Sequence, residues 1–176
     1  MGFDLHGINP KNNTKKPQIL NRDWGEISED EYSEYFDARR QYNAENKGLY
    51  FRNNVWWWRP LWDYVCVVCD EVLSDADKDG GCHNSGHIIS KDKADKMYEL
   101  LSIELLMDGH LEEEIRYNDH MEKLPLETCK LCDGLGCQVC DGSGKRKAFL
   151  TNYPFSSENV VNFVEFLREC GGFTIE

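Results

Sequence analysis

The sequence predicts an α+β fold: a helix-dominated single domain with a small sheet and a cysteine-rich loop. Three observations carry that expectation. Capped amphipathic stretches outnumber strand-like ones. Short apolar segments at the two chain ends can pair into a small sheet. Two CxxC pairs interrupt the second half of the chain, in CKLCDGLGCQVCDGSG at residues 129–144.

The elements follow in order. In MGFDLHGINP, Phe3 and Leu5 alternate onto one face, and Gly7 and Pro10 end a short strand. KNNTKKP, residues 11–17, is polar and basic and reads as an exposed loop. Residues 26–43, EISEDEYSEYFDARRQYN, read as an acidic helix capped by Ser28, with acids in its first turn and Arg39 and Arg40 near its end. Tyr32, Tyr35 and Phe36 share one face of it, ready to pack on a core. In GLYFRNNVWWWRPLWDYV, residues 48–65, Asn53-Asn54 reads as a turn. Pro60 is tolerated at a first helical position, so a helix is expected to begin near Arg59. Leu61, Trp62, Val65, Cys66, Cys69, Val72 and Leu73 then form one apolar stripe. SDADKDGGCHNSGH, residues 74–87, reads as a loop. Ser90 caps a helix over 91–107 that ends at Asp108-Gly109. A second helix carrying Leu111, Ile115 and Met121 reaches Pro125. After the cysteines, KAFLTNYPF has strand character. Ser156 or Ser157 caps a last helix, which Gly171-Gly172 terminates, and FTIE adds a short edge strand beside residues 2–5.

Composition narrows the function classes. The 176 residues suffice for one domain with its own core. Mean hydropathy is −0.63, and the longest apolar run, 64–69, is far too short to span a bilayer. No basic stretch leads into an apolar one at the N-terminus, so no secretory signal is expected. A net charge of −12 speaks against nonspecific nucleic-acid binding, which needs Lys and Arg to displace counterions from phosphates. It favours solubility and admits a protein partner with a basic face. Eight cysteines without a secretion signal point to a reducing compartment, hence a cytoplasmic setting, where CxxC spacing indicates metal before disulfide.

Cys129, Cys132, Cys137 and Cys140 supply four sulfurs, the ligand set of one structural Zn²⁺. Such a site keeps no water position open and is not Lewis-acidic. An iron–sulfur cluster also accepts four thiolates, and a thiol redox pair is a third reading. The doubled CxxCDGxG unit resembles the CxxCxGxG repeats of the DnaJ-type zinc finger. That resemblance implies zinc at these four positions. The chain carries two abutted repeats instead of four and has no HPD motif, so it does not imply chaperone activity.

Two upstream segments carry further candidates. Trp57, Arg52, Arg59, Asn53 and Asn54 combine stacking with directed hydrogen bonding, which suits a nucleotide-like ligand or a protein hot spot; equally, the tryptophans can fill the core. DADKDG copies the opening of a calcium loop, but Gly86 stands where the bidentate Glu belongs, so tight calcium binding is not expected. Cys66, Cys69, Cys82, His83 and His87 include the ligand types of a second metal site, or Cys66 and Cys69 are small buried side chains. Asn84 and His87 can line a polar wall facing the Trp/Arg segment, with His87 as an acid or base.

Across most of its length the chain resembles an uncharacterised group of small bacterial and phage proteins. The matching segments are the MG-D-xGxxP start (Met1 to Pro10), YFRNNVWWWRPLW (Tyr50 to Trp62), Asn84-Ser85-Gly86, the CxxC segment, and the end from Tyr153 to Ile175. Against that group, 11–47 reads as an acidic insertion, and 128–146 forms a zinc-knuckle subregion. The resemblance implies a phage or bacterial intracellular setting. The leading functional expectation is a non-enzymatic, zinc-stabilised protein that binds a partner protein, with inhibition of a host defence factor as the implied context. The alternatives are a small-ligand, nucleotide-sequestering protein and a metal-dependent enzyme using His87 with Cys66, Cys69 and Cys82.

Overall fold

In the computed structural model, residues 2–11, 14–18 and 27–176 are described. The architecture is α+β, as the sequence predicts: helices packed on a small antiparallel sheet, with a cysteine-rich loop set apart from them.

Strand β1 (Gly2–Gly7) buries Phe3 and Leu5 on one face and pairs with β2 (Tyr50–Asn54) and with β6 (Phe173–Ile175). Strand β3 (His87–Ile89) pairs with the far side of β6, giving the order β2-β1-β6-β3. The C-terminal strand is therefore an inner strand, not the predicted edge. Buried Phe173 and Ile175 explain why: the strand faces the core and has a partner on each side.

The acidic helix α1 (Glu29–Glu45) starts at Ser28 through a capping box with Glu31. None of its residues is buried; Tyr32 and Phe36 pack on each other at 4.3 Å instead of entering the core. Helix α2 (Val55–Val68) begins four residues before the expected Arg59. Asn54, predicted in a turn, caps it by accepting from the Trp56 and Trp57 backbone N–H groups at 3.0 and 3.1 Å. Pro60 consequently sits inside the helix, without an N–H to give to the Trp56 carbonyl. Burial of Trp58, Pro60, Leu61, Trp62 and Val65 offsets that loss.

The 74–87 segment is not all loop. Ser74 and Asp77 form a capping box that starts the short helix α3 (Asp75–Gly80). Helices α4 (Lys91–Leu106) and α5 (Gly109–Lys123) fall close to the predicted spans. Leu111 and Ile115 of α5 are exposed, while His110 and Tyr117 turn toward the body. KAFLTNYPF forms a 3-10 turn over Phe149–Asn152 rather than a strand. Helix α6 (Ser157–Cys170), capped by Ser156, packs on α4, β1 and β2 and ends at Gly171.

An aromatic ladder fills the space between sheet and helices. Phe3 stacks on Trp58 at 5.4 Å, and Trp58 on Trp62 at 5.3 Å. Both indoles are fully buried, yet each N–H finds a carbonyl: Trp58 donates to Gly81 at 2.7 Å and Trp62 to Lys78 at 3.0 Å. These bonds avoid the roughly 1–3 kcal/mol cost of an unsatisfied buried donor. They also fix the 78–81 segment against α2.

Candidate metal centre and the aromatic segment

The tightest cluster of potential ligands lies outside this core. A two-residue hairpin, β4 (Glu127–Thr128) with β5 (Lys145–Arg146), closes the base of the cysteine loop. Above it the two CxxCDGxG units fold alike. In each, the first cysteine's carbonyl accepts from the first glycine's N–H (Gly134 to Cys129, 3.3 Å; Gly142 to Cys137, 2.9 Å). In each, the second cysteine's carbonyl accepts from the residue before the last glycine (Leu135 to Cys132, 2.8 Å; Ser143 to Cys140, 2.9 Å). Asp133 and Asp141 occupy the same left-handed conformation, at φ of 47° and 48°.

The units then lock against one another. A Cβ on Gly136 would meet the Gly142 carbonyl oxygen at 2.6 Å, and one on Gly144 would meet that of Gly134 at 2.1 Å. Both glycines also have positive φ, so no other residue fits there. The repeated glycines are the reason two abutted repeats can face each other across a single point.

That point is where the sulfurs converge. Cys129, Cys132, Cys137 and Cys140 place their Sγ atoms within 4.8 Å of one another. Three edges of the figure are 4.0 Å (Cys129–Cys137), 3.8 Å (Cys132–Cys140) and 3.7 Å (Cys137–Cys140). No pair is joined as a disulfide. A tetrahedral metal with metal–sulfur bonds of about 2.3 Å has sulfur–sulfur edges of about 3.8 Å. The donor set and its dimensions therefore suit one metal ion. The Cys137 N–H points at Cys140 Sγ at 3.2 Å and pulls that thiol down to about 6, which prepares a thiolate for ligation. Cys129 and Cys140 are buried, while Leu131, Leu135 and Val139 of the same loop point into solvent.

The other cysteine–histidine candidates do not form a cluster of three or more ligands among the described residues. Among the described residues, the four-cysteine cluster is the one group of three or more His, Cys, Asp or Glu side chains close enough to share an ion. Cys69 is fully buried at the end of α2, whereas Cys82 is exposed. Burial, then the neighbouring Cys82 in the case of Cys66, pushes the Cys66 and Cys69 thiols up to about 12. His83, just past the end of α3, lies 3.6 Å from Asp79.

His87 has a structural partner. Its Nε2 is 3.0 Å from Asp77 Oδ1, and Lys93 pairs with the other oxygen of the same buried carboxylate. Burial works to raise the Asp77 carboxyl, but hydrogen bonds from Lys93, Ser74 and His87 outweigh it and hold it well below the usual carboxylate range. The network ties α3 to β3 and α4. The sequence signal for it was Ser74-x-x-Asp77, a capping box inside what reads as a calcium-like loop.

The Arg/Asn/Trp segment is likewise used for construction. Arg52 lies 3.5 Å from Asp4 across the sheet, and Asn53 donates to Asn159 at 2.9 Å. Asn54 caps α2, and Asn84 donates to the Gly2 carbonyl. Arg59 sits 5.9 Å over the Tyr153 ring. Trp57 is partly exposed, but neither it nor Arg52, Asn53, Asn54 or Arg59 lines any of three concave regions on the surface.

No protein-family model matches the chain, and neither curated proteins nor solved structures provide a match. No helix among the described residues is long and apolar enough to cross a membrane. The class that fold and site define is an α+β protein with a four-cysteine cluster of metal-binding dimensions.

Proposed function

We propose that this chain is a zinc-stabilised, non-enzymatic protein that binds a partner protein. The sulfur cluster carries the reading: three of its edges, at 3.7 to 4.0 Å, match one zinc with four thiolates, and all four sulfurs lie within 4.8 Å of one another. Four protein ligands leave no position for water or substrate, so the metal holds a loop and does not activate a reactant. An iron–sulfur cluster, with several irons and sulfides between its ligands, would hold the cysteine sulfurs farther apart. The held loop then presents Leu131, Leu135 and Val139 outward, the kind of surface that a partner covers. From the resemblance to small phage and bacterial proteins, we propose that the chain acts in the bacterial cytoplasm, with a host defence factor as the class of target.

The test has two arms. Metal analysis of the purified chain is expected to give one zinc per chain. Capture from bacterial lysate with the tagged native chain, beside a Cys132→Ser variant, is expected to retain a host protein on the native chain alone. Zinc without a retained protein would remove the partner; a protein retained equally by both would remove the role of the loop.

A further inference from the structure

Beside the cysteine cluster runs an open groove of about 760 Å³, bounded by the β4–β5 hairpin and the Phe149–Asn152 turn. Four cations line it: Lys130, Lys145, Arg146 and Lys147. None of them has an ion-pair partner among the described residues. Several cations elsewhere are ion-paired, among them Lys47, Lys78, Lys91, Lys93, Arg116 and Lys123. The lining sets these four bases against two acids, Glu127 and Asp141, and four thiolates on one Zn²⁺ add a charge of about −2 beside it, so the groove is a local gathering of cations on a molecule of net charge −12 rather than a strongly positive face. Leu126, Val139 and Phe149 add apolar surface to it, each more than half exposed.

Resting on the partner-binding reading above, we propose that this groove is the docking site and that it takes an acidic peptide segment of the partner carrying apolar side chains. The cations meet the segment's carboxylates, and Leu126, Val139 and Phe149 receive its apolar residues. The surrounding negative surface repels an acidic segment everywhere else, which directs it here. Single-stranded nucleic acid fits less well. Stacking successive bases takes a series of open aromatic faces, and Phe149, the one aromatic in the groove, already packs against Trp56 and Tyr153.

Fluorescence anisotropy on the intact, metal-loaded chain tests this with three labelled probes of equal length. One is a peptide of Glu and Asp interspersed with Leu, the second has Lys for every acid, and the third is single-stranded oligo-uridine. The acidic peptide alone is expected to bind, with affinity falling as salt rises. Reversal of charge in Lys145→Glu/Arg146→Glu/Lys147→Glu is expected to weaken it by roughly tenfold or more. The milder Arg146→Gln/Lys147→Gln pair, which keeps the hairpin's length and polarity, is expected to weaken it less. Metal content is measured on every variant. Tighter binding of oligo-uridine, or acidic-peptide binding that the charge changes leave intact, overturns the proposal. If the chain carries its zinc and binds no acidic peptide, this inference fails alone; if it carries no zinc, the reading it rests on fails first.

Discussion

The cysteine loop and the tryptophan segment are held by opposite means. Around Trp58 and Trp62 the chain buries large rings, gives each indole N–H a carbonyl and needs no ligand. Over 129–144 it has almost no apolar interior; Leu131, Leu135 and Val139 face out and only sulfur faces in. A segment this short cannot exclude enough water to hold itself, and under the proposed zinc site coordination replaces packing. The difference teaches that residue richness does not by itself mark a binding site. Four tryptophans became core and its immediate cover, while a loop of cysteine and glycine became the candidate centre.

Chelation should break the comparison most sharply. A structural zinc contributes about 10 kcal/mol or more of binding free energy at neutral pH, all of it spent locally. Removing it is expected to abolish hydrogen-exchange protection across 127–147 while the helical circular-dichroism signal persists. Collapse of the whole chain on chelation would mean that the core leans on the loop. Gly144→Ala should act in the same direction, because its Cβ would strike the Gly134 carbonyl.

The reciprocal experiment is Trp58→Ala, expected to cost about 4 kcal/mol of global stability through cavity formation and loss of the Gly81 bond. Metal content at native temperature should stay unchanged. Loss of metal in this variant would show that the two regions are coupled.

Asp77→Asn comes next, at about 3 kcal/mol, because Lys93 and His87 lose a buried carboxylate. The sign of the pH effect follows from the lowered carboxyl. Its contribution is present above the unfolded value of about 4 and is lost as pH falls toward the folded value below it. Acid titration of stability should therefore be shallower in the variant than in the native chain.

The smallest effect is expected at the segment's surface. Trp57→Ala should change stability by about 1 kcal/mol or less, since its ring is partly exposed and lines none of the three concave regions described above. A thermal shift on adding nucleotides, lost in this variant, would restore a ligand role to the segment.

What the sequence revealed divides along the same line. The four cysteines were legible because ligand spacing is local: each CxxC defines its own turn, and the glycines announce the tight backbone. Ser28, Ser90 and Ser156 were legible as caps for the same reason. The start of α2 was not, because Asn54 can serve as a turn residue or as a cap, and only the strand pairing of residues 50–54 with β1 decides between them. The inner place of β6 depends on β3, a three-residue strand too short to leave a pattern. Cys66, Cys69, Cys82, His83 and His87 offered ligand types without a spacing that fixes their geometry, and burial sent them in different directions. The cationic groove was readable in principle from Lys130, Lys145, Arg146 and Lys147 crowding one short stretch of an acidic chain.

The central claim is a single zinc held by Cys129, Cys132, Cys137 and Cys140, and native mass spectrometry of the purified chain tests it most directly. The account predicts the mass of one zinc per chain, lost in Cys132→Ser and kept in a Cys66→Ser/Cys82→Ser variant. A metal-free native chain, a second ion that the Cys66→Ser/Cys82→Ser variant loses, or the mass of an iron–sulfur cluster would contradict it.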